Sequence, residues 1–246
     1  MENPEKGLWR ESADVFHRNL KPCLAYIGAM LAIAVAAELF KSSSPSIIAQ
    51  SFAAALLAIP AHLTVLKNKA GFDALNSPES SKAIMSFVFR GIGLGVISFI
   101  PFILTLIFLL SLGMTVWEAV PPAALLLLLC ASWIFAKWGT MLPAIIAQDD
   151  KSIARSGIRG SMVKGYAFPR LLLAFGILST IQLGIFLALA SLSNGDGNYF
   201  PDTGGFDFVL IAASIISGIL GAFQIVMIAV ILSRSYLRAE GKTAVA

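Results

Sequence analysis

The stretch IMSFVFRGIGLGVISFIPFILTLIFLLSL, running from Ile84 to Leu112, decides the fold. Arg90 is its only charge and lies near its start. A helix rises 1.5 Å per residue and a hydrocarbon core about 30 Å thick takes roughly 20 residues to cross, so this run is long enough to span. It does not alternate with period two, which disfavours a strand of a membrane barrel.

Working outward, comparable apolar runs occupy Pro22 to Phe40, Ser46 to Leu66, Val120 to Ala147, Leu171 to Leu192 and Phe208 to Ser233. The whole chain is 57% apolar and 13% charged, against about 25% charge in ordinary soluble domains. The expected fold class is an all-α membrane protein. An amphipathic interfacial segment at 1–21 precedes one six-helix transmembrane domain at 22–246. Six spans and their connections use up the 246 residues, leaving no room for a separate soluble catalytic domain.

The cations set the expected orientation, because loops retained in the cytoplasm keep Lys and Arg. Sixteen of the eighteen fall in four alternate segments. The first holds Lys6, Arg10, Arg18 and Lys21, and the second Lys67, Lys69, Lys82 and Arg90. The third holds Lys151, Arg155, Arg159, Lys164 and Arg170, and the last Arg234, Arg238 and Lys242. Lys41 lies on the opposite side, and Lys137 inside the fourth run. Both termini are therefore expected in the cytoplasm of a multi-pass protein of the bacterial inner membrane. The same bias accounts for the basic balance of the chain without nucleic-acid binding. A charged, amphipathic stretch precedes the first run, so that run reads as an uncleaved anchor, and neither end matches a lipidation signal. Cys23 and Cys130 lie in apolar runs and read as small buried hydrophobes.

At 100° per residue Leu8, Trp9, Ser12, Ala13, Val15, Phe16 and Leu20 share one side of a helix, and Arg10, Glu11, Asp14, His17 and Arg18 the other. Only Asn19 is out of place. Such a helix is expected in the headgroup region with Trp9 as interfacial anchor; packing against the protein's own basic-side segments is the alternative. In the fourth connection Gln148, Asp149 and Asp150 are expected to cap a helix whose Lys151, Arg155 and Arg159 recur every four residues. With Lys164 they form a candidate site for anionic lipid headgroups, each cation contributing about 1 kcal/mol near a charged leaflet. Plain topological charge is the competing explanation. Basic, Ser-containing segments precede the first, third and fifth runs, a layout that would fit three helical hairpins.

Inside the spans charge is scarce. Glu38, Arg90, Lys137 and His62 stand near span ends, where interfacial anchoring explains them. Gln50, Gln182 and Gln224 can hydrogen-bond between helices at a modest ~0.6 kcal/mol each. Pro60, Pro101 and Pro143 are expected to interrupt the second, third and fourth spans, and broken helices can build midplane sites. Gln50, His62, Pro101 and Gln224 are the candidate lining of an intramembrane cavity. Small residues at Gly28-Ala32-Ala36, Gly91-Gly95 and Ser214-Gly218-Ala222 predict close helix approach.

Asn194, Asp196 and Asn198 space oxygen ligands as a calcium loop does, but Tyr199 and Gly205 stand where an EF-hand needs Gly and Glu, so a polar turn is expected and no metal site. Walker A, paired-His zinc and nucleophile-elbow motifs are all missing from the sequence, and it holds only two histidines, so neither an enzyme nor a cofactor is expected.

The stretch PAIIAQDDKSIARSGIRGSMVKGYAFPRLL, Pro143 to Leu172, resembles the central block of the YciC-like bacterial membrane proteins, as do the opening ESADVFHRN and closing SYLR segments. A similar block occurs in the membrane portion of some glycerophosphodiester phosphodiesterases, whose catalytic domain this sequence lacks. The resemblance implies a six-helix inner-membrane protein and carries over no catalytic residue. The expected function is a non-enzymatic module that binds or helps move a lipid or other amphiphile, with anionic membrane lipids as partners. The alternative is a membrane scaffold or regulatory subunit that docks a second copy or another membrane protein.

Overall fold

A computed structural model describes residues 7–40, 47–74, 78–190, 199–200 and 207–242. Lys41 and the polar turn at 194–198 lie outside them. The described chain forms α1 (Leu8–Arg18), α2 (Leu20–Leu39), α3 (Ile47–Lys67), a 3-10 turn (Phe72–Ala74), α4 (Pro78–Ser111), α5 (Val116–Trp138), α6 (Met141–Ala147), α7 (Ile153–Ala190) and α8 (Phe208–Ala239). There is no strand among the described residues. Six stretches are long and apolar enough to cross a bilayer: α2, α3, α4, α5 with α6, α7 and α8. The chain is a helical, multi-pass membrane bundle.

The spanning helices pack in chain order, α2 on α3, α3 on α4, α4 on α5, α5 on α7 and α7 on α8, and α8 closes back on α2 and α3. The short α6 wedges between α3, α4 and α8. α8 thus touches α1, α2, α3, α6 and α7 and forms the axis of the bundle.

The fifth span differs from expectation in being one helix of 38 residues, about 57 Å long, rather than an amphipathic helix followed by a span. Its buried face explains this. Ser156, Gly160, Val163, Ala167, Leu171, Ala174 and Leu178 recur at spacings of three and four straight through the polar-to-apolar boundary, so the same seam packs along the whole helix. At Gly160 a Cβ would strike the backbone carbonyl of Lys137 and come within 2.7 Å of that of Ala136, so α5 and α7 touch there backbone to backbone.

The prolines also behave differently from expectation. Pro60 and Pro101 sit inside uninterrupted α3 and α4. The fourth span does break, but at Gly139 and Thr140, where a Cβ on Gly139 would come within 2.7 Å of Leu232. Pro143 falls in the first turn of α6, where its missing N–H removes no intrahelical bond. Of the small-residue stripes, Gly218 does meet a neighbour, with Ile27 Cγ2 3.2 Å from a built Cβ, whereas Gly28, Gly91 and Gly95 face nothing within 4 Å.

α1 packs on α8 and α3 through fully buried Ser12 and Val15. Trp9 stacks on Phe223 with centroids 6.0 Å apart, yet stays 48% exposed. Asn19, the residue that fits neither face of the first helix, is wholly buried between α1 and α2. Its Nδ2 donates to Val15 O at 2.8 Å and Thr64 Oγ1 at 2.9 Å, and its Oδ1 accepts from Gly71 N at 2.9 Å. One amide therefore fastens the α1–α2 corner to the end of α3.

Candidate functional site

The basic end of the bundle is tied together by a charge network centred on the buried Arg159. α6 ends with Gln148 in the left-handed region, Gln148 N donating to Ile145 O and Asp149 N to Ala144 O, the hydrogen-bond pair of a Schellman turn. That turn presents Asp149 and Asp150 beside α7 and the end of α8. The cap of α7 is Ser152, whose Oγ accepts from Arg155 N at 3.2 Å, rather than either aspartate. Arg159 is 1% exposed. Its Nε donates to Glu240 Oε1 at 2.6 Å, its Nη1 to Asp150 O at 2.5 Å, and its Nη2 lies 3.7 Å from Asp149 Oδ2. Tyr236 donates its hydroxyl to Asp149 Oδ2 at 2.7 Å, and Lys242 Nζ reaches the same oxygen at 3.2 Å.

These bonds set the charge states. The Tyr236 hydroxyl, the Asp150 amide and the Lys242 ammonium together hold Asp149 well below the usual carboxylate range. The hydrogen bond from Arg159, with its charge and that of Arg155, lowers Glu240. Lys242 is raised by its bonds to Tyr236 and Asp149. The buried Arg159 is paired on every side, as a charge taken out of water requires.

The proposed headgroup stripe therefore divides. Arg159 turns inward and is saturated by protein groups, and Arg155, 43% exposed at its side chain, lies 3.3 Å from Glu240. Lys151 and Lys164 remain exposed. Helical spacing showed that the cations share a side, but not that Glu240 waits 81 residues away.

The candidate cavity residues are likewise distributed over several interfaces. His62 is 1% exposed in the tightly packed basic half, with Nδ1 2.7 Å from Ser233 Oγ and its ring edge-on to Phe87. Gln224 reaches across to α7, donating to Ser179 Oγ at 3.1 Å and Ala174 O at 3.3 Å. Gln50 and Pro101 are half-buried, in α3 and α4. Arg90 donates to Lys151 O and approaches Met141 Sδ at 3.5 Å, binding α4 to the turn after α6. Lys137 lies 4.8 and 4.7 Å from the ring centroids of Trp133 and Trp138.

A different polar group runs from the cation-poor end to the middle of the bundle. Ser214, Ser217, Gly221 and Gln224 follow one another at spacings of three and four along a single face of α8, about 15 Å of helix. Tyr199 OH bonds Ser214 Oγ at 2.7 Å, Gln182 Nε2 donates to Ser217 O at 3.3 Å, and Tyr26 OH lies 3.5 Å from where a Cβ on Gly221 would stand. At the far end Glu38 accepts the successive backbone N–H groups of Tyr199 at 2.7 Å and Phe200 at 2.8 Å. Ser217 Oγ is buried without a hydrogen-bond partner. The seam thus joins α2, α7 and α8 by hydroxyls and carboxamides in surroundings that are otherwise apolar. Gln224 is visible in the sequence as a span glutamine, and helical spacing aligns Ser214, Ser217 and Gly221 with it, while the small residues at 214, 218 and 222 share much of the same side.

Among the described residues no group of three or more His, Cys, Asp or Glu side chains could hold a metal ion. Comparison with known proteins finds no family model, no curated protein and no solved structure that matches this chain.

Proposed function

We propose that this is a non-enzymatic module of the bacterial inner membrane that binds, and helps move, a lipid or related amphiphile, with its basic end and both termini in the cytoplasm. The observation that carries this reading is the α8 seam. It sets neutral hydrogen-bonding groups, one of them the unpartnered Ser217 hydroxyl, in the half of the bundle where helices are least tightly packed. An amphiphile would lay its hydrocarbon along the open faces of α2 and α7 and offer an ester, amide or hydroxyl to Gln182, Ser217 and Gln224. Scarce charge there favours a neutral polar region over an ion. The closed basic half would serve as a floor, which suits entry from the opposite leaflet.

The test is native mass spectrometry of the protein purified in mild detergent, comparing wild type with Gln182→Leu/Gln224→Leu. A defined lipid carried by wild type and lost from the double variant supports the reading. Equal retention by both sinks it.

A second reading has its own observation. Ile97, Ile100, Leu104 and Phe108 are exposed along one side of α4. A scaffold or regulatory subunit would use such a face to dock a helix of a second copy or another membrane protein. A lipid-free oligomer or a stoichiometric partner in the same spectra would favour it.

A further inference from the structure

Arg155, Arg159 and Arg234 answer carboxylates within the protein, but one cation of the basic half is built differently. Lys137, in the last turn of α5, sets its ammonium 4.8 Å from the ring centroid of Trp133 and 4.7 Å from that of Trp138. The two indoles meet edge to face, with centroids 5.7 Å apart and planes 81° apart, and so wall two sides of the charge. Trp138 is packed against α7, its Nε1 3.6 Å from where a Cβ on Gly157 would stand. Among the described residues no carboxylate or carbonyl takes up the Lys137 ammonium, whose contacts are these two rings.

The depth suits a headgroup. α5 meets α7 backbone to backbone at Gly160, on the basic side of Leu171, where the apolar run of α7 begins. Side chains lean toward the N-terminus of their helix, which for α5 lies across the membrane, so Lys137 and Trp133 lean from that level toward the hydrocarbon. The row continues along α5 at spacings of four, with Trp133 39%, Leu129 39% and Leu125 59% exposed. A cation thus heads an open apolar track about 18 Å long.

Aromatic walls attract an ammonium without cancelling its charge, and they leave it N–H donors for an oxyanion. By keeping water from two sides they also strengthen that attraction. A soluble phosphate would use the cation alone. A phospholipid uses both parts, with its phosphate on Lys137 and an acyl chain along the track.

We propose that Lys137, walled by Trp133 and Trp138, binds the phosphate of an anionic phospholipid in the leaflet at the basic end, one acyl chain lying along Leu129 and Leu125. The site is on α5, apart from the α8 seam, and stands or falls independently of the amphiphile reading.

The full chain is purified in mild detergent, delipidated and titrated with short-chain phosphatidylglycerol, read by native mass spectrometry, and in parallel with inorganic phosphate. Wild type is expected to take up phosphatidylglycerol saturably and Lys137→Gln to lose about tenfold in affinity. Lys21→Gln removes an exposed cation from α2, which packs on α3 and α8, and should change affinity less than about twofold. Trp133→Leu keeps the charge and should bind severalfold more weakly, and it decides the matter if Lys137→Gln does not fold. No saturable uptake by wild type, equal affinity in wild type and Lys137→Gln, or unchanged affinity in Trp133→Leu overturns the proposal. An equal loss in Lys21→Gln reduces the effect to bulk charge and overturns it too. So does Lys137-dependent binding of inorganic phosphate without lipid uptake, which would assign the cation to a soluble anion.

Discussion

The two ends of the same six helices are held together by different means. At the basic end Leu57, Ile59, Leu63, Leu171, Val226, Val230 and Ile231 are buried, and long-range polar pairs such as His62 with Ser233 and Arg159 with Glu240 cross the interfaces. At the other end α2 has no buried residue beyond Cys23, and α4 has only Leu94 and Ser98 buried beyond Val88 among the described residues. Much of the outward surface there is Ile, Leu and Phe suited to lipid. The contrast indicates that stability is concentrated in one half, which leaves the other half free to open, bind or pack with something else.

The comparison breaks most readily at glycine. Gly160→Val would push a branched side chain into the carbonyls of Ala136 and Lys137, and should cost about 4 kcal/mol or prevent folding, read as loss of monodisperse protein and of the thermal transition in detergent. Gly184→Ala, in the cation-poor part of α7 where a Cβ meets nothing within 4 Å, should instead be neutral or stabilising by up to about 1 kcal/mol. If both substitutions behaved alike, the two halves would not differ as described.

Arg159→Gln comes next, at about 2 kcal/mol, because it leaves Glu240 only the half-exposed Arg155 and weakens the hold on Asp149. A double-mutant cycle with Glu240→Gln should return a coupling above about 1 kcal/mol, whereas Lys164→Gln should stay within about 0.5 kcal/mol of wild type. Additivity in the cycle would mean that the ion pair carries no energy of its own.

Acid should loosen the basic end in particular. Asp149 and Glu240 titrate below their ordinary range in the folded protein. Their contribution is therefore present above the unfolded value of about 4 and is lost as pH falls through their lower folded values. Protection of the α8 amides near Tyr236, relative to the intrinsic exchange rate at each pH, should fall below pH of about 4 in wild type, and the added acid sensitivity should shrink in Asp149→Asn/Glu240→Gln. The smallest stability effect belongs to the seam, where Gln182→Leu and Gln224→Leu should each cost only about 0.6 kcal/mol while removing a bound amphiphile. A large drop in thermal stability would show the seam to be structural glue instead.

The bundle was legible in the sequence because spans are written locally, in runs of apolar residues and in which segments keep their cations. Partner choice is not local. His62 meets Ser233 171 positions away and Glu11 meets Arg234 223 positions away, and helical spacing says which side a residue faces without saying what stands opposite. Arg159 shows why: its regular spacing with Arg155 predicts a headgroup stripe, while Glu240 and the Asp149–Asp150 turn draw it inward. Pro60 and Pro101 predict breaks because a missing N–H is visible in sequence, while the continuity of the surrounding helix is not. Asn19 is the instructive anomaly, since a polar residue out of register with its helix marked a buried junction. The seam was half legible, through its glutamines.

The position of α8 at the axis has a consequence for how the protein is made. Every element that packs on it, from α1 to α7, leaves the ribosome earlier. Until α8 follows, His62, Glu11, Arg159 and Asp149 are all without the partners it and the adjoining Glu240 supply. The nascent helices must therefore wait in the insertion machinery as a loose, polar-bearing set. The arrival of α8 then assembles them in one late step, so premature termination before residue 226 would yield a chain that inserts but cannot close.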